Sequence, residues 1–185
     1  MSAKRSHVIA IVGALCAMLA TPLARAADSR PKTLTETQSE IAKRLDRFES
    51  AAAALQKQTD RYASSIRTNQ LQRLSHANQL NQAREQVNYL GRELSGLEQL
   101  SPQGTELQQM AIREARPHLE AVADHVQSAI VMLNEDKSSY WTAEFREKVK
   151  GMYEHADNLY LKVDSITDLE KTRSRAASLD ALAES

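Results

Sequence analysis

The sequence predicts an all-α protein, an up-down antiparallel four-helix bundle preceded by a cleavable signal peptide. Three observations carry this expectation. Apolar residues recur in steps of three and four over four long stretches, the period of helices that each bury one face. Glycine and proline are scarce, 5 and 4 residues, and neither occurs from Leu34 to Leu90, a span that no helix breaker interrupts. Strand signals are missing: no run alternates apolar with polar residues, and no Asn-Gly or Asp-Gly pair offers a hairpin turn.

The N-terminus has the three parts of a secretory leader. Lys4 and Arg5 supply positive charge, Val8–Ala20 is an uncharged apolar run, and Ala24-Arg25-Ala26 has the small-x-small form that a signal peptidase accepts. The run is too short for a spanning helix. Cleavage after Ala26 starts the mature chain at Ala27 and removes Cys16, the only cysteine. Leu15, rather than a small residue, precedes that cysteine, which speaks against a lipid-anchored start. The expectation is a periplasmic or secreted bacterial protein with no disulfide, stabilised by packing alone.

Cleavage also takes Lys4, Arg5 and Arg25 from 24 basic residues and nothing from 24 acidic ones, which leaves a net charge of about −3. That balance lacks the basic footprint of nucleic-acid binders. It contains no long block of like charge suited to a membrane surface, and no membrane span is expected after cleavage.

After a flexible segment at 27–33, the first helix is expected at 34–67. Thr33-Leu34-Thr35-Glu36 has the form of a capping box, and apolar residues follow at 41, 45, 48, 52, 55, 62 and 66, with Thr59 in the remaining core position. The stripe falters at Arg67–Ser75, where Asn69 and Arg73 take positions that should be buried. An unbroken helix of about 65 residues would reach roughly 98 Å, half of it without partners. A break near 68–74 is therefore expected, then a second helix at 74–100 with its stripe at 80, 83, 87, 90, 94 and 97.

Ser101-Pro102-Gln103-Gly104 reads as a turn, with Ser101 or Thr105 capping a third helix at 105–134. Leu107, Ala111, Leu119, Val122, Val126, Ala129, Ile130 and Leu133 form its stripe, and Pro117 inside it should bend it. Thr142 is placed to cap a fourth helix at 142–171, whose stripe is Phe145, Val149, Met152, Ala156, Leu159, Val163 and Ile166. The bundle thus occupies 34–172. Apolar content falls from about Lys171, and 173–185 reads as a frayed tail. Short connections between such helices favour antiparallel neighbours.

Few residues point to chemistry. Glu-x-x-His pairs, which build di-iron centres in bundles, are absent: Arg73, Ala115, Val122 and Met152 stand three residues before His76, His118, His125 and His155. His118 and His125 are separated by about 10.5 Å of helix axis, too far to share one ion. No metal site and no cofactor are expected. The mature chain has no cysteine, no glycine-flanked serine, no phosphate loop and no dinucleotide fingerprint, so no catalytic residue is assigned. Glu114 and His118 read as a surface pair on one helix face.

Two groups remain as possible partner contacts. Asn81 and Asn88 lie one residue past core positions 80 and 87, at the edge of the second stripe, where an amide can bond a neighbouring helix and fix register. His76 falls on the core side as a half-buried imidazole. Tyr140 and Trp141 sit where the third helix hands over to the fourth, with Phe145 one turn on. They form either an apolar plug closing the bundle end or an exposed anchor for a partner.

Two resemblances bear on this reading. Ser75-His76-Ala77, Leu80-Asn81-Gln82, Arg84, Val87-Asn88, Gly91, Ile112-Arg113, Arg116-Pro117 and Trp141-Thr142-Ala143-Glu144-Phe145 resemble the pattern of an uncharacterised family of secreted, acidobacterial-type all-helical proteins. The resemblance spans roughly 68–172; it implies a break before His76 and no activity. Separately, Leu34-Thr35-Glu36-Thr37-Gln38 is similar to the Leu-Thr-x-x-Gln motif of Spy- and CpxP-type periplasmic chaperones, although the second copy usual in those proteins is missing. This shorter similarity implies shielding of unfolded clients.

The expected function is that of an exported, non-enzymatic helical interaction or scaffold protein of the bacterial envelope, acting on a protein partner. The alternative is a periplasmic holdase. A second alternative is a carrier of haem or another small ligand, since Met110, Met132 and Met152 could oppose a histidine across the bundle.

Overall fold

Residues 33–68, 71–136 and 138–183 are described by the computed structural model. The leader and its cleavage site lie outside the described residues. Thr33 starts helix α1, Leu34–Arg67, with a complete capping box: its hydroxyl accepts from the Glu36 amide at 3.3 Å, and the Glu36 carboxylate accepts from the Thr33 amide at 2.7 Å. Each group satisfies an amide that the first helical turn leaves without a partner. The expected stripe is buried in full from Ile41 to Ile66. Thr59 completes it because its hydroxyl bonds the Leu55 and Gln56 carbonyls, both at 3.0 Å, so no polar atom is stranded.

Helix α1 ends at Arg67, and α2 spans Arg73–Leu100. Arg73, too polar for the core, reaches instead to the Leu133 carbonyl near the end of the third helix at 3.2 Å. A cation there satisfies a terminal acceptor and meets the negative end of the helix dipole. A short 3₁₀ turn at Ser101–Gln103 leads to α3, Glu106–Glu135, capped by Thr105 in a second capping box with Gln108. Helix α3 continues through Pro117, which is exposed. Another 3₁₀ turn, Ser139–Trp141, precedes α4, Ala143–Ala183, whose first turn is capped by the Thr142 hydroxyl accepting from the Phe145 amide at 3.2 Å.

Helix α4 corrects the expected frayed tail, because it remains helical to Ala183. Burial was the wrong criterion for its end. Positions 172–183 are all exposed, but Arg173–Ala183 contains Ala, Leu and Arg and no glycine or proline. Adding such residues to a helix that is already nucleated needs no tertiary contact.

Four antiparallel helices pack in a square, α1 against α2 and α4, and α3 against α2 and α4, with the α3–α4 seam the most extensive. No strand occurs among the described residues. Phe48, Leu55, Leu90, Leu97, Val122, Phe145, Met152 and Leu159 fill the interior with no exposed surface. Polar ties fix the stagger. Gln108, buried on α3, donates to the Gln38 carbonyl of α1 at 3.1 Å. Thr167 donates to Glu49 at 2.6 Å, and Lys171 pairs with Asp46 at 3.1 Å.

Candidate functional site

The end of the bundle where α1 passes to α2 and α3 to α4 is closed by rings from four elements. His76 enters from the first turn of α2 and is 3% exposed. Its Nδ1 lies 3.1 Å from the Tyr62 hydroxyl on α1. Its ring meets Tyr140 at 5.0 Å between centroids and Phe145 edge-on at 5.5 Å. These are favourable aromatic separations. Burial raises the Tyr62 phenol above its ordinary value, so the phenol keeps its proton within this hydrogen bond. Burial also lowers the His76 imidazole, while a backbone hydrogen bond at Leu71 opposes the shift. His76 is thus more deeply enclosed than its sequence position suggested, a hydrogen-bonded imidazole within a packed clamp rather than a reachable ligand.

The turn after α3 presents its two aromatic residues differently. Tyr140 is half-buried against His76, whereas Trp141 is 47% exposed with its ring 4.7 Å from that of Tyr140. The turn itself is tightly bonded. Asp136 accepts from the Ser138 amide and hydroxyl at 2.8 and 2.7 Å, which also holds its carboxyl below the ordinary range. The Trp141 carbonyl accepts from Arg146 at 2.7 Å, and the Thr142 amide donates to Ser139 at 2.9 Å. Plug and anchor are therefore divided between neighbours: Tyr140 closes the core and Trp141 faces solvent.

Asn81 and Asn88 are exposed on α2. Asn88 borders an open groove between α2 and α3 with Gly91, Arg92, Arg116 and Glu120. The structure does not bring these amides to the aromatic end. Their place one residue beyond the core stripe is enough to turn them outward, since one residue rotates the side chain by about 100°.

Among the described residues, no three His, Asp or Glu side chains are placed to hold a metal ion, and no helix is long and apolar enough to cross a membrane. Two partners escaped the sequence reading. Tyr62 looked like one more apolar core position, and His155 lies between His118 and His125 although neither of those can reach the other. The heptad spacing of residues 148, 155 and 162 on α4, set against 118 and 125 on α3, was the available signal. Comparison with protein-family models, with curated proteins and with solved structures finds no match to this chain.

Proposed function

We propose that the protein is an exported, non-enzymatic helical interaction protein of the bacterial envelope, and that Trp141 is the centre of its contact surface. One observation carries this reading: a tryptophan 47% exposed on a turn held by hydrogen bonds and backed by the packed ring of Tyr140. An aromatic anchor that is already ordered loses little freedom on binding, and tryptophan is the residue type most enriched among binding hot spots. Asn81 and Asn88 stand outside this patch and serve as solvated edge residues of α2. A photo-reactive phenylalanine analogue replacing Trp141 in the envelope tests the reading. A discrete cross-linked species, weakened by excess unlabelled protein, supports it; cross-linking no stronger than from an analogue at Asn81 contradicts it.

The holdase alternative has one observation in its favour. Helix α4 continues beyond the bundle with Leu179 66% exposed, apolar surface that a client could cover. Suppression of client aggregation by the whole protein, lost when the chain ends at Lys171, would favour this reading over a scaffold.

A further inference from the structure

Five basic side chains alternate across one edge of the α3–α4 seam. His118 and His125 stand seven residues apart on α3; Lys148, His155 and Lys162 keep the same spacing on α4. Seven residues are close to two turns, so each set lines one face of its helix. The antiparallel pairing places the His155 ring between the other two, 5.9 Å from His118 and 5.5 Å from His125, stacked on the latter at 26°. Lys162 acts on His118, and Lys148 acts on His125.

The site has been given room and little compensation. Gly151 is buried opposite His125, and a Cβ there would lie 2.5 Å from the imidazole Cε1 and Nε2. The three imidazoles are half-buried, and Nδ1 of His155 is enclosed without a hydrogen-bond partner. Facing carboxylates are few: Glu114 acts on His118, and Asp124 and Glu154 act on His125. Glu154 is already paired with Lys150 at 3.3 Å, and Glu114 lies 4.0 Å from Arg113. All the charged groups acting on His118 and His125 lie on α3 and α4.

We propose that this seam is an acid-sensitive latch, closed by the stacked imidazoles and loosened when protonation of His118 and His125 sets positive charge beside Lys162 and Lys148. Desolvation first, then His155 and the nearby lysine, lower both His118 and His125 below the ordinary imidazole value. A group lowered on folding binds its proton more readily in the unfolded chain. Its stabilising contribution is complete above the ordinary value and disappears as the pH falls through the folded one.

Histidine NMR titration and amide hydrogen exchange on the purified protein, on His155→Gln and on Lys148→Gln/Lys162→Gln test the latch. The expected result is that the midpoints of His118 and His125 rise in both variants. Acid-induced acceleration of exchange in residues 118–125 and 151–158 should also be reduced in both. Unchanged midpoints, or equal acid acceleration in all three proteins, would overturn the proposal. Should His155→Gln fail to fold, the double lysine variant decides alone, because it alters only charge at the seam's edge.

Discussion

The Tyr62 hydroxyl lies 3.1 Å from Nδ1 of His76, a bond that ties α1 to α2 inside the closed end of the bundle. Both residues are buried, 2% and 3% exposed, so each satisfies a polar atom that water cannot reach. Tyr62→Phe removes the hydroxyl and leaves Nδ1 of His76 without that partner, a loss of about 1–3 kcal/mol. At about 2–4 °C per kcal/mol for a domain of this size, the melting temperature should fall by several degrees. An unchanged melting curve would show that the bond contributes nothing.

The same imidazole sets a pH dependence. His76 is lowered by burial from an ordinary value of 6.5, so between its folded value and 6.5 the unfolded chain binds more protons. Its contribution to stability is complete above 6.5 and is lost as pH falls through the lowered folded value. Urea midpoints should therefore drop from about pH 7.5 to about pH 5, with the His76 resonances titrating below a free imidazole. Titration of His76 at or above the free value would contradict its enclosure.

Two glycines should respond oppositely to alanine. A Cβ at Gly91 meets nothing within 4 Å, so Gly91→Ala should stabilise α2 by about 0.5–1 kcal/mol through the reduced entropy of the unfolded chain. At Gly151 the new Cβ falls 2.5 Å from the His125 ring, which must leave the stack. Gly151→Ala should shift the His125 resonances and lose the helix-propensity gain. Thermal melts of the two variants beside the parent check both signs; equal stabilisation would argue against a ring seated on Gly151.

Ending the chain at Lys171 should leave the melting temperature within about 1 °C of the parent, because exposed residues outside the core contribute little. All of residues 172–183 are exposed. A clear loss of stability would mean that the end of α4 has a partner in the folded protein.

The helices were legible because periodicity within one helix decides which face is buried. Ile41, Leu45, Phe48, Ala52 and Leu55 all occupy the predicted stripe, and Thr33 and Thr142 cap where their hydroxyls suggested. What joins one helix to another was less legible. Gln108 reaching Gln38, Tyr62 reaching His76 and His155 entering between two histidines depend on stagger and rotation between helices, which no single-helix pattern specifies. Asn81 and Asn88 show the same limit, since an edge position either bonds a neighbour or faces water according to that rotation. The division of Tyr140 from Trp141 was out of reach for a further reason: a 3₁₀ turn sends adjacent side chains in different directions.

Trp141 is the chain's only tryptophan, so its fluorescence reports on the proposed contact without interference from another indole. The direct measurement is collisional quenching by acrylamide together with anisotropy, first on the protein alone and then with the partner recovered by cross-linking. The account predicts ready quenching and high anisotropy in the free protein, with quenching suppressed once the partner binds. Emission that is already shielded in the free protein, or quenching that the partner leaves unchanged, would contradict an exposed and ordered anchor.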